Sequence, residues 1–535
     1  MLYAQSDTAG LALPADRDAA RLSVGADSRP ASMPNIRQRA LLIIVTAITA
    51  LVTVAVAYQA LPGRAFAADD FQWLLNVRDR SFLAVAARAF DVSAESHFYR
   101  PLVWLLLWSE WRLFGFDPGA FHRMSLTLHV INAALIGWLT FRMVRAQSSI
   151  APVIGYAVSA LTTALHPAPF EAVVWVSAQS ELLAAFFIVL TLHCWWSAGR
   201  VDTASLRRWF WYSAAAATQT CALMTKESAI IGLPLIVLIE WESARQMRRR
   251  MALLPLVLPL LATIVYLFAA LDVASRNYLV RESGYSFGAQ LLLNPLRSLG
   301  LIVAPLPGVE YGREAWLPLA GACVVLAGLI ALPIAWRYGS AASLLTGMLA
   351  LIVTLAPTAP FASSPDSRYL YLPVMVLALM TGRWSSALTD RVMPADLSGI
   401  RSNDRRHAAD MRTLSWIGRL WVGMAVILVA LALGALAVNE IRGREVRFAA
   451  GARPGEELRL FAAAQCAIGR LDRMLIVEPP IAAPHVEAII RLSCGSGPYT
   501  MVIGSGDIEH EVRPNTLVVV FDSGFPRPLM RTSAQ

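Results

Sequence analysis

The sequence predicts an α-helical polytopic membrane protein with a small α/β domain at its C-terminal end. Three observations predict it. Hydrophobic residues make up 56% of the 535 residues and charged residues only 16%, where soluble proteins carry about 25%. The apolar residues gather into many runs close to the roughly 20 residues that span a bilayer. After residue 438 the pattern changes to short, mixed helix-like and strand-like stretches separated by Gly/Pro-rich turns.

Eleven runs read as spans: 40–61, 124–141, 150–166, 172–198, 209–224, 228–241, 252–271, 316–336, 341–357, 369–383 and 413–438. Their order is supported by charge. With the N-terminus inside, the inside segments hold Arg37 and Arg39, Arg142 and Arg145, Arg200 with Arg207 and Arg208, Arg245 with Arg248 to Arg250, Arg337, and the Arg-rich loop 384–412. The outside hinges 167–171 and 225–227 hold almost no basic residues, which is the positive-inside pattern. The net charge of +9 is thereby assigned to these loops, and no nucleic-acid partner is expected. The run Leu291–Leu306 is interrupted by Asn294, Pro295, Arg297 and Pro305 and reads as an interfacial or re-entrant segment. Residues 1–39 are expected to be a disordered cytoplasmic segment, 40–438 the transmembrane domain, and 439–535 an extracytoplasmic domain.

The first outer loop, 62–123, has helical periodicity of its own. Phe71, Leu74, Leu75, Phe82, Val85 and Ala89 form one apolar stripe, and Leu102, Leu105, Leu106 and Leu113 another. Such stretches are expected to lie flat on the membrane. In the C-terminal segment, Leu458–Leu471 and Val486–Leu492 read as helices and Thr500–Ile503 and Thr516–Phe521 as strands. Cys466 and Cys494 fall there, either as a disulfide in an oxidising compartment or as two thiols.

Several polar residues stand out against this apolar background. Asp69 and Asp70 lie in the first outer loop; a carboxylate there suits a general base or a cation ligand, and equally a helix cap before Phe71. Tyr99-Arg100 precedes the second stripe, where a guanidinium grips a phosphate or a lipid headgroup. His166 and Glu171 mark the hinge after span three, and Glu171 is a second carboxylate or a helix-opening acid. Lys226, the single Lys of the chain, is followed by Glu227 in the next hinge; phosphate binding competes there with a Lys226–Glu227 or Lys226–Glu171 ion pair. Glu181 lies within a span and needs a partner. Arg368 and Tyr369 enter span ten from outside, as phosphate ligand and interface anchor. No Walker loop, GxGxxG, GxSxG or HExxH occurs in a plausible context, which removes support for nucleotide, dinucleotide and zinc-protease chemistry.

The ordered set Asp69-Asp70, Tyr99-Arg100-Pro101-Leu102, Phe121-His122 with His129 and Asn132, His166-Pro167 followed by Glu171-Ala172-Val173, Lys226-Glu227, and Arg368-Tyr369-Leu370-Tyr371-Leu372-Pro373 resembles the GT-C superfamily of polyprenyl-phosphate-sugar glycosyltransferases. The likeness leans to the protein O-mannosyltransferase branch, with its transmembrane-TPR mannosyltransferases. The resemblance implies a GT-C-like bundle and a polyprenyl-phosphate-sugar donor used at the outer face with inversion. It implies Asp69 or Asp70 as base, and Arg100, Lys226 and Arg368 at the lipid phosphate. Tyr99, His166, Glu227 and Tyr369 are expected to support them, with Glu171 as the acid facing the pair. A divalent cation is left open, with Asp70 and Glu171 as its expected ligands. The expected location is a bacterial inner membrane, with the site and C-terminal domain on the periplasmic side. No 34-residue repeat follows Val438, so the acceptor is left as glycan, lipid or protein. The alternatives are an enzyme like an O-antigen polymerase or ligase, which the early Asp pair argues against, and a transporter or scaffold, for which no internal repeat is seen.

Overall fold

A computed structural model describes residues 36–93, 98–145, 150–202, 205–274, 284–306, 314–337, 340–392, 405–468, 471–495 and 498–532. The expected disorder of residues 1–35 and the centre of the 384–412 loop lie outside the described residues.

Each predicted span overlaps a helix: α1 (Ile36–Ala57), α5 (Pro118–Met143), α6 (Ala151–Leu165), α8 (Gln179–Ala198), α9 (Leu206–Leu223), α10 (Gly232–Gln246), α11 (Val257–Ala274), α13 (Leu317–Arg337), α14 (Ala341–Leu355), α15 (Tyr371–Val392) and α16 (Arg405–Ile468). The span expected over 172–198 is shorter than that: the chain breaks out of helix at Trp175, and only Gln179 onward belongs to α8. Among the described residues, six helical stretches are long and apolar enough to cross a membrane by length and composition. The protein is therefore a multi-pass membrane protein with a mostly helical fold. The interrupted run forms α12 (Gln290–Val303), whose Asn294 Nδ2 donates to the Phe361 carbonyl at 2.9 Å and ties α12 to the segment before α15.

Close approach holds the bundle together where side chains are small. A Cβ at Gly382 of α15 would meet Ser159 Oγ at 2.0 Å and the Gly155 carbonyl of α6 at 2.5 Å. Only glycine lets these two helices touch, the small-residue mode of packing between helices in membranes. Polar links do the rest: His129 Nδ1 meets the Tyr371 hydroxyl at 2.8 Å, His129 Nε2 meets the Ala164 carbonyl at 3.1 Å, and Asn132 Nδ2 donates to the Leu182 carbonyl at 2.9 Å. These contacts tie α5 to α6, α8 and α15.

The first loop folds into α2 (Asp70–Val77), α3 (Phe82–Phe90) and α4 (Pro101–Phe114), joined to the bundle by the short α7 (Phe170–Val174). Ser81 caps α3 by accepting from the Ala84 N–H, and Pro101 opens α4 where its missing N–H costs nothing. The C-terminal part continues from α16, a single 64-residue helix that runs through residue 438. It adds β1 (Arg473–Val477), α17 (Ala483–Cys494), β2 (Tyr499–Ile503), α18 (Ile508–Glu511), β3 (Thr516–Asp522) and β4 (Phe525–Arg531). Strand order is β2-β1-β3-β4, with β1 parallel to β2 and β3, and β4 antiparallel to β3. Helix α17 makes the crossover that a parallel β1–β2 pair requires.

The apolar face of α2 does not lie on the membrane, as its periodicity suggested. Phe71, Leu74 and Val77 are fully buried in one core with Val486, Ile489 and Ile490 of α17 and Leu517 and Val519 of β3. Burying three such side chains contributes about 1.5–3 kcal/mol each, so loop and C-terminal domain stabilise one another. Helix α3 keeps Phe82 and Leu83 exposed.

Cys466 and Cys494 form a disulfide that fastens the end of α16 to the end of α17. Closing a loop of this length restricts the unfolded chain by roughly 3 kcal/mol. The Cys466→Ser/Cys494→Ser variant is expected to lose about 2–4 kcal/mol in the stability of this domain. Thermal melting of the wild type with and without reductant, beside the variant, checks it; identical midpoints would refute the stabilising role.

Candidate active site at the loop end of the bundle

The Asp pair is placed by a strained bend. Ala68 has φ +45°, the left-handed region that a non-glycine residue enters at a cost of about 1–3 kcal/mol. The bend sets Asp69 as the residue before α2 and Asp70 as its first residue, where the helix dipole favours negative charge. The two side chains then diverge. Asp70 is 1% exposed. Its Oδ2 accepts from the Ala67 N–H at 2.8 Å, and its Oδ1 accepts from the Ser177 N–H at 2.7 Å and from the Ser177 hydroxyl. Burial pushes its carboxyl up to about 7, against the pull of those hydrogen bonds. Asp69 stays about half exposed and meets one partner, His485 Nε2 of α17, at 2.8 Å.

Three cations gather around Tyr369. Arg368 stacks over Trp175 at 4.7 Å and over Tyr369 at 5.0 Å, and pairs with Asp366. Lys226 Nζ lies 4.9 Å from the Tyr369 ring and 2.5 Å from Glu181 Oε1, with both side chains buried. Arg100 grips Glu227 through two parallel bonds of 2.9 and 2.6 Å. The cluster is tied to the Asp loop through Trp175, whose Nε1 donates to the Ala67 carbonyl at 3.3 Å. Hinge 175–177 thus touches the cation cluster on one side and the base of the Asp pair on the other.

The remaining expected residues are distributed less tightly. Glu171 accepts from the Arg368 backbone N–H at 3.3 Å, and burial with the neighbouring Asp366 pushes its carboxyl up although Arg368 pulls it down. Tyr99 stands against Tyr266, 6.2 Å between ring centres. His166 Nδ1 accepts from the Ala168 N–H and shapes the hinge turn. Lys226 pairs with Glu181, and with neither Glu227 nor Glu171, the two acids expected as its partner. Among the described residues no group of three or more His, Cys, Asp or Glu side chains is placed to hold a metal ion. The Asp70 oxygens already accept from three donors, and Glu171 turns to Arg368, so the acids expected as cation ligands face hydrogen-bond donors.

Sequence reading missed His485, because nothing in the tail pointed to a loop 416 residues away. It also missed Trp175 and Ser177, whose types are ordinary for a membrane edge. Glu110 of α4 was missed as well. It is fully buried, accepts from Gln179 Nε2 at 3.0 Å, and burial pushes its carboxyl up to about 8.

A carboxyl whose folded value is raised binds protons that the unfolded chain releases, so its stabilising effect is present at low pH and fades as pH rises. From about 4.5 to about 8, Glu110 therefore lowers stability progressively. The Glu110→Gln variant is expected to gain stability relative to wild type across that window, with Gln179 still satisfied. Parallel melting curves at pH 5, 6.5 and 8 check it; a constant difference would refute the buried ionisation.

No protein-family model matches the chain, and no curated protein matches its sequence. Solved structures do. The chain aligns with the oligosaccharyltransferase AglB of Archaeoglobus fulgidus, in complex with an inhibitory peptide and a dolichol-phosphate, at 10% identity and a TM-score of 0.50. That alignment covers 84% of this chain and 63% of AglB. It also aligns with ArnT of Cupriavidus metallidurans bound to undecaprenyl phosphate, at 15% identity and a TM-score of 0.45, over 91% of this chain and 93% of that one. The likeness to AglB is one of fold: this chain shares a helical membrane architecture with it.

Proposed function

We propose that the protein is an integral-membrane glycosyltransferase. It transfers a sugar from a polyprenyl-phosphate-linked donor to an acceptor hydroxyl, with inversion and with Asp69 as general base. The observation that carries this reading is the joining of a half-exposed carboxylate to a three-cation cluster through one hinge, Trp175 to Ser177. Inverting transfer needs that pairing. The base takes the acceptor proton as the oxygen attacks the anomeric carbon, and the cations stabilise the phosphate that departs on the opposite side.

Electrostatics shapes how the donor binds. Lys226, Arg100 and Arg368 face Glu181, Glu227, Asp366 and Glu171, so the cluster by itself carries no surplus positive charge. A donor phosphate therefore exchanges with a carboxylate. Asp366 and Glu227 are the ones free to leave: their side chains are 50% and 41% exposed while Glu181 is 6% exposed. Asp70 holds the loop against hinge 175–177, and His485 orients Asp69.

The fold supports this reading by analogy, since it is shared with AglB, an oligosaccharyltransferase seen in complex with a dolichol-phosphate. The charge pattern of the loops supports a bacterial inner membrane with the site on the periplasmic side. The mannosyltransferase-like donor rests on the ordered motifs from Asp69 to Pro373. The test is purified protein in lipid discs with a panel of synthetic polyprenyl-phosphate sugars, scoring released polyprenyl phosphate and the anomeric configuration of the product. Release with inversion is expected; retention of configuration, or no release with any donor and acceptor, would overturn the proposal.

A further inference from the structure

At the end of the bundle away from Asp69, a cavity of about 700 Å³ opens between α5, α8, α10, α14 and α15. Its walls are apolar, with Ile136, Leu192, Ile239, Ala350, Met375 and Val376 among them. Its rim is cationic. The cations around it fall into two kinds. Arg383 is paired with Glu242 at 2.7 Å. Glu242 also accepts from Gln246, Ser343 and Thr346, so its charge is fully satisfied. Arg145, Arg245 and Arg248 line the same cavity, are exposed, and have no acidic partner among the described residues. Two buried polar atoms on the wall also lack partners: Gln246 Oε1, an acceptor, and Ser386 Oγ, on a residue with no exposed surface. Trp384, two-thirds exposed, stands at the mouth where an interfacial indole belongs.

We propose that this cavity is a binding site for one anionic glycerophospholipid of the bilayer, with its phosphate on Arg145, Arg245 and Arg248 and an acyl chain in the apolar interior. The chemistry selects each part. Guanidinium forks without a carboxylate partner suit a phosphate, and Arg145 spends only one N–H, on Met247 Sδ at 3.3 Å; basic pockets between membrane helices take anionic headgroups. An apolar volume of this size suits a hydrocarbon chain rather than water. The two orphan atoms choose between phosphate lipids. Gln246 Oε1 needs a hydrogen-bond donor, which a glycerol headgroup supplies. Ser386 Oγ can donate to an acyl ester carbonyl. A polyprenyl phosphate has neither group. The inference is independent of the transferase reading, because it concerns the far end of the bundle and is read by binding.

The test is native mass spectrometry of the full chain in detergent, titrated with phosphatidylglycerol, phosphatidylcholine and undecaprenyl phosphate. Wild type is expected to retain one phosphatidylglycerol about tenfold more tightly than phosphatidylcholine. The Arg145→Ala/Arg245→Ala/Arg248→Ala variant is expected to lose that preference, and the corresponding triple Lys variant to keep most of it. Ala350→Phe, which fills the interior, is expected to weaken retention with its melting temperature unchanged. Equal retention of the two phospholipids, or a preference that survives the triple Ala change, would overturn the site. Displacement of phosphatidylglycerol by equimolar undecaprenyl phosphate would overturn the choice of occupant.

Discussion

Asp69→Asn is expected to lower sugar transfer by about 10²–10⁴-fold, the usual worth of a general base, while leaving thermal unfolding where it was. The geometry makes this variant clean. Asp69 is about half exposed and has one partner, His485, whose Nε2 an Asn oxygen accepts from equally well. The substitution removes basicity and little else. Asp70→Asn is expected to act on stability instead. Its two oxygens face the Ala67 N–H on one side and Ser177 on the other, and an amide can turn only one oxygen toward them. The stranded N–H costs about 1–3 kcal/mol. Release of polyprenyl phosphate and melting temperature, measured on both variants, separate the two acids. Wild-type turnover in Asp69→Asn would remove it as the base. Lost turnover with unchanged melting in Asp70→Asn would move the role there.

The second large effect is expected at Lys226. The Lys226–Glu181 pair is buried on both sides. Removing one member of such a pair strands the other charge and costs about 3–5 kcal/mol, whereas replacing both with apolar side chains is often neutral. Lys226→Met is therefore expected to destabilise strongly, and Lys226→Met/Glu181→Leu to recover most of the loss. Donor affinity is expected to follow a different course. A charged hydrogen bond to phosphate contributes about 1.5–3 kcal/mol, so the stable double variant should still bind donor at least about tenfold more weakly. Recovery of donor affinity together with stability would assign Lys226 a structural role only.

The sequence made the bundle legible because a hydrophobic span announces itself by length, and Arg-rich loops announce their side. The C-terminal sheet was half legible. β2 and β3 read as strands, while β1, the short fully apolar run Met474–Val477, resembles any buried segment. Strand β4 contains Pro526 and Pro528, which an edge strand tolerates and a sequence reading counts against it. At the site, the cations and acids were visible as polar residues out of place in an apolar chain. Their pairings were not. Lys226 reaches Glu181 because the hinge between α9 and α10 packs against the first turns of α8, a tertiary fact with no local trace. The apolar stripe of α2 was read correctly as a stripe and assigned to the wrong neighbour, since periodicity gives a face and never what covers it.

The shared core of α2 and α17 has a consequence for the order in which the protein is made. Phe71, Leu74 and Val77 leave the ribosome some four hundred residues before Val486 and Ile489 arrive to cover them. Chains fold from the N-terminus as they emerge, so for most of synthesis the first loop carries a bare apolar face, and Asp69 stands without His485. A chain stopped between α16 and α17 can insert every span and still lack a finished site. Biogenesis thus ends with a late docking step that prematurely ended chains cannot make, and quality control can recognise them by the uncovered loop.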